Sequence, residues 1–124
     1  GLVLFALSTA GARAGSELFA NGAIEKSYVG LVRGVLQSSE VWADPLVRDE
    51  SKKRTSVANA GEIDGKTALT HATPIAHAAA ATLVRFEISS GRTHQIRSHA
   101  AAHGYPLIGD SPPTLRWTHE GGIP

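Results

Sequence analysis

Two arginines, two histidines and an amide fall within eight residues of one turn signal, in Arg92-Thr93-His94-Gln95-Ile96-Arg97-Ser98-His99. That set suits anions. Guanidiniums make charge-assisted, often bidentate hydrogen bonds to phosphate or carboxylate, and the N–H groups at a helix start point at whatever lies in front of them. Arginines beside a helix start are also common as solvated surface charges, and the stretch alone leaves both readings open. The elements that would hold it are well signalled. Residues 82–89 alternate, with Val84, Phe86 and Ile88 on one face and Arg85, Glu87 and Ser89 on the other, as a half-buried strand does. Gly91 can turn, Thr93 can cap, and Ile96, Ala100 and His103 recur on one helical face, with Gly104 and then Pro106 as the stop. The expected unit is strand, tight turn, short helix, loop.

Other chemistries find less support. His99 and His103 stand at the i, i+4 spacing that lets two imidazoles share a metal ion, but no third ligand and no cysteine accompanies them, so satisfied interior or interface histidines are the better reading. Ser90, His94 and Asp110 could be assembled into a triad on paper, yet no Gly-x-Ser-x-Gly elbow is present, and neither is a P-loop or a dinucleotide-binding glycine run.

Gly91-Arg92-Thr93-His94-Gln95-Ile96-Arg97-Ser98-His99, followed by Gly104-Tyr105-Pro106-Leu107-Ile108-Gly109-Asp110, resembles the signature of the RluA-like pseudouridine synthases. Glu25-Lys26-Ser27-Tyr28 leading into Leu31-Val32-Arg33-Gly34 resembles the same family's tyrosine motif, and the likeness extends over roughly residues 1–110. It implies an α+β fold, a mixed and mainly antiparallel sheet with packed helices and an RNA cleft at its centre. It further implies an enzyme that isomerises uridine to pseudouridine in ribosomal or transfer RNA without metal or organic cofactor. By resemblance Tyr28 stacks on the target base, Arg97 ion-pairs with the catalytic aspartate, and Arg92, His94, Gln95 and Lys66 contact RNA. Extruding a base costs a few kcal/mol of unstacking, which an aromatic platform and phosphate-gripping arginines offset.

One part of that pattern is missing. The family's nucleophile sits in Arg-Leu-Asp-x-x-Thr/Ser-Gly before an apolar strand, and Gly1, followed by Leu2-Val3-Leu4-Phe5, looks like the last residue of that motif. None of Asp44, Asp49, Asp64 or Asp110 has such a context. With no methionine anywhere in its 124 residues, the chain reads as a fragment, a single partial catalytic domain that lacks its attacking group. A non-catalytic RNA-binding module that kept the cleft, and a small anion-binding domain unrelated to RNA, remain as alternatives.

The remaining elements follow from pattern. Residues 2–7 read as a strand, Ser8 or Thr9 caps a helix with Ala10, Ala14 and Leu18 in register, and Asn21-Gly22 ends it. Gly11 and Gly15 weaken that helix, so packing against a sheet is expected to hold it. Residues 25–34 form a strand with Val29 and Leu31 on one face and Tyr28, Gly30 and Val32 on the other, and the glycine should leave room around the Tyr28 ring. Residues 35–73 are turn-rich, with short strands and a hairpin expected, and the alanines of 76–81 form a short connection. Residues 111–124 show no pattern.

Composition bounds the rest. The chain of 13.0 kDa has 42% hydrophobic and 19% charged residues, enough for one soluble domain with one core. A net charge of +1 is weak support for a nucleic-acid partner, although Lys52-Lys53-Arg54 is a basic cluster and residues 91–109 hold no acid. No run is long enough to span a bilayer and residues 1–7 lack a signal peptide's basic flank, so a cytoplasmic protein is expected.

Overall fold

The computed structural model describes residues 2–51, 53–58, 65–89 and 94–110. Its centre is a four-stranded antiparallel sheet in the order β1-β6-β5-β2, with β1 at Lys26–Arg33, β2 at Glu40–Trp42, β5 at Thr70–Ala78 and β6 at Ala81–Ile88. Strands β3 (Leu46–Asp49) and β4 (Arg54–Val57) make a separate hairpin, joined to the chain before β5 where Leu46 and Lys66 exchange backbone hydrogen bonds. Two helices complete the described residues, α1 (Thr9–Ala20) and α2 (Gln95–Ala102), and α2 packs on β4 and β5. The architecture is the α+β arrangement expected.

The alternation in β6 decides which face of the sheet is inside. Val84, Phe86 and Ile88 are buried while Arg85 and Glu87 face out. The register sets Tyr28, Gly30 and Val32 opposite Phe86, Val84 and Thr82, so these share the inner face, and Val29 and Leu31 stay exposed on the outer one. Val32, Leu36, Trp42, Ala72, Val84, Phe86 and Ala100 form the core, with Ile96, Tyr105 and Leu107 packed against it. Burying a side chain such as Phe86 is worth about 2–3 kcal/mol.

Helix α1 begins as its sequence says, with Ser8 Oγ accepting from the Gly11 amide at 3.0 Å, and it ends at Asn21 ahead of Gly22 in the left-handed region. The packing expected of it is not realised, since none of its residues is buried. Residues 2–7 are likewise not a strand; they run beside α1, forming an open trough with Gly11, Ala12, Gly15, Ser16 and Phe19 and leaving Leu2 and Leu7 fully exposed. An apolar run becomes a strand only where an edge offers hydrogen bonds, and among the described residues none pairs with it.

The alanine stretch is also different from expectation. Strand β5 continues through Ala76, His77 and Ala78, and the turn to β6 is confined to Ala79 and Ala80. Pairing with the strongly patterned β6 overrides alanine's helical preference. A bulge between Pro74 and Ala76 absorbs the proline, which cannot donate to the ladder.

Candidate functional site

One end of the sheet collects the residues that matter. Ile88, the last residue of β6, faces Lys26 at the start of β1 and Thr70 at the start of β5, and from Ile88 the chain leads into the signature stretch. Tyr28 therefore stands two positions in from that end of β1, and α2 begins beside the start of β5.

Helix α2 is fastened there by a buried polar chain. Gln95 Nε2 donates to the Leu69 carbonyl at 2.9 Å and to Thr70 Oγ1 at 3.0 Å, Thr70 Oγ1 lies 2.8 Å from His99 Nδ1, and His99 Nε2 lies 2.8 Å from the Asp44 carbonyl oxygen. A carbonyl only accepts, so the proton is on His99 Nε2, Nδ1 accepts from Thr70, and the direction of every bond follows. Gln95 and His99 are 2% and 0% exposed. Gln95, expected to contact RNA, here spends its amide nitrogen inside the protein, on Leu69 and Thr70. The polar residues of the signature, more than its apolar Ile96, make the buried face of α2.

Arg97 takes the opposite side of the helix. Its Nη2 is 2.8 Å from Asp110 Oδ1 and its Nη1 is 3.2 Å from His94 Nδ1, with side-chain exposures of 40% for Arg97 and 11% for Asp110. Asp110 follows a segment anchored to β1, where Leu107 bridges Val32 and the Ile108 amide donates to the Leu31 carbonyl. The guanidinium is thus tied to the strand that carries Tyr28. Tyr28 is 50% exposed. The reason expected for its openness fails, since a Cβ at Gly30 would meet Leu107 Cδ2 at 3.2 Å and Phe86 Cε2 at 3.3 Å. Gly30 admits those side chains, and Tyr28 owes its exposure to its place near the sheet end. Lys66 is exposed beside the β3–β4 hairpin, and Arg92 lies outside the described residues.

Sequence reasoning missed a second cluster. His103 Nε2 donates to Asp44 Oδ2, and the His103 ring stacks on Trp42 at 5.2 Å between centroids and 13° between planes. The His103 hydrogen bond holds the Asp44 carboxyl below its ordinary value of 3.8, against the opposing effect of burial. The two histidines at i, i+4 thus grip one aspartate, His99 by its carbonyl and His103 by its carboxylate; that spacing was the only signal available. A depressed folded pKa contributes stability above the unfolded value, lost as pH falls through the folded one. Acid unfolding of the chain should accordingly steepen below about pH 4. Asp44→Asn, which keeps the carbonyl for His99, should flatten that limb by less than ~1 kcal/mol, because the pair is partly exposed; circular dichroism against pH checks it.

A sheet with a half-exposed tyrosine near one end, and a helix there that presents a held arginine, has the fold of a pseudouridylate synthase domain. A solved human structure, RNA Pseudouridylate Synthase Domain Containing 1, is similar at a TM-score of 0.75 and 27% identity, over 84% of this chain and 46% of that one. The fold alone is shared with human RNA Pseudouridylate Synthase Domain Containing 4, at a TM-score of 0.72 and 20% identity over 90% of this chain.

Residues 1–102 match the RNA pseudouridylate synthase family, and the chain belongs to it. It is 37% identical over 97 residues to an uncharacterized RNA pseudouridine synthase of Zymomonas mobilis, covering 77% of this chain and 44% of that protein. It is 30% identical over 133 residues to tRNA pseudouridine synthase C of Vibrio cholerae, covering 99% of this chain and 52% of that protein. Ribosomal large subunit pseudouridine synthase D of Buchnera aphidicola is 34% identical over 87 residues, covering 70% of this chain and 27% of that protein. The chain thus spans about half the length, or less, of the curated relatives it matches. No helix of the described residues is long and apolar enough to cross a membrane.

Proposed function

We propose that this chain is the base-binding and arginine-positioning part of an RNA pseudouridine synthase that acts on a stem-loop of ribosomal or transfer RNA in the cytoplasm. The observation that carries the reading is Arg97, a half-exposed guanidinium held on two sides by Asp110 and His94 at the sheet end where Tyr28 is open. The reaction needs a carboxylate that attacks the ribose or the uracil of an extruded nucleotide. The N1–C1′ bond breaks, the base turns, and a C5–C1′ bond forms as the C5 proton is lost. A guanidinium beside that carboxylate keeps it ionised and fixes its direction. By the family resemblance that carboxylate belongs to an Arg-Leu-Asp motif, which these 124 residues do not contain.

Tyr28 is the stacking platform for the extruded uracil, and Arg92 and Lys66 grip phosphates. Tyr28→Ala should weaken binding of a uridine-bearing stem-loop by about 10-fold at fixed salt, the scale of one lost stack. Fluorescence anisotropy with labelled RNA measures it, and unchanged affinity would remove Tyr28 from the site.

A further inference from the structure

We propose that His94 is a positioning residue for Arg97, its neutral imidazole accepting a hydrogen bond that fixes the plane in which the guanidinium meets the reacting carboxylate. This rests on the synthase reading above and reassigns His94, which the signature alone suggested as an RNA contact.

Backbone geometry comes first. His94 precedes α2 with φ 51 and ψ 32, in the left-handed region, and its side chain makes no capping hydrogen bond. A residue with a Cβ pays at least about 1 kcal/mol for that conformation. An exposed contact such as His94–Arg97 returns less than that in stability.

Hydrogen-bond chemistry then fixes the charge state. A guanidinium has donors only, so at 3.2 Å from Arg97 Nη1 the His94 Nδ1 must present its lone pair. The proton belongs on Nε2. Arg97, from α2, also pairs with Asp110, from the segment tied to β1. Asp110 takes Nη2 with a full charge and His94 takes Nη1 without one, which orients the guanidinium while leaving most of its positive charge for a second carboxylate. Protonating His94 would set cation against cation and release Arg97. A phosphate contact would require the reverse, since RNA binds imidazolium better than imidazole, so the two roles predict opposite responses to pH.

Two variants of the full-length encoded protein separate them. His94→Gly accepts the left-handed backbone and removes the acceptor; His94→Asn accepts the same backbone and offers an oxygen that does not titrate. For pseudouridine formation, His94→Gly should lower kcat by about 10-fold with KM for RNA within about twofold, and His94→Asn should restore most of kcat while abolishing the loss of rate toward acid pH. A rise in KM at constant kcat, with binding that strengthens as pH falls, would overturn the proposal in favour of RNA contact, and so would an unchanged His94→Gly. Nitrogen-resolved NMR of the 124-residue chain tests the contact without any activity. Arg97 side-chain signals should shift as His94 protonates, and stay fixed in His94→Asn; their indifference in the unaltered chain would overturn the proposal. With that coupling intact, a full-length protein that forms no pseudouridine would refute the synthase reading alone.

Discussion

His99→Ala should destabilise the chain by about 3–5 kcal/mol, which for a domain of this size lowers the unfolding midpoint by roughly 10–20 °C. The ring is completely buried, and both of its nitrogens are used, on Thr70 and on the Asp44 carbonyl. Its removal leaves a cavity and strands the buried Thr70 hydroxyl, at about 1–3 kcal/mol, together with a part-buried carbonyl. Because Gln95 also bonds Thr70, the loss spreads along the network and loosens α2 from β5. His103→Ala is the internal comparison: its side chain is 31% exposed, so losing its bond to Asp44 and its stack on Trp42 should cost only about 1 kcal/mol. Thermal melts of the two variants decide the matter. Equal shifts would mean that burial of the α2 network is not what holds the helix.

Arg97→Lys should lower pseudouridine formation by the full-length encoded protein about 100-fold or more while changing stability by less than ~1 kcal/mol. The charge remains, and an ammonium can still pair with Asp110. What disappears is the planar fork that bonds Asp110 and His94 at once. A substitution that preserves charge and fold but removes the fork isolates orientation as the variable. If Arg97→Lys keeps near-normal kcat, Arg97 acts as a point charge and the proposed geometry has no role; if it unfolds the chain, the pair with Asp110 is structural.

How much of this could be read from residues depends on where each signal lived. Strand β6 was legible because its alternation is local and its burial follows it, and Ser8 was legible as a cap because its oxygen needs only Gly11. The residues 2–7 carry an equally apolar pattern, but a strand needs a partner edge, which no local pattern supplies. The alanines of β5 carry almost no pattern, and became strand because β6 was beside them. At the site, the motifs singled out Arg97 and Tyr28, whose side chains the fold leaves partly open. Gln95 did not announce its burial, because an amide next to arginines looks like a ligand contact until Leu69 and Thr70 are seen behind it. Asp44 and His103 lie far apart in sequence and could meet only through the fold.

The most direct measurement is conversion of uridine to pseudouridine in RNA carrying tritium at carbon 5 of its uridines, with the full-length encoded protein and the 124-residue chain assayed side by side. Forming the C5–C1′ bond releases that hydrogen to water. The account predicts tritium release by the full-length protein, strongly reduced by Arg97→Lys, and none by the 124-residue chain alone. RNA that is bound by the full-length protein without any release of tritium would contradict it, and would leave a domain that kept the cleft of its family without the reaction.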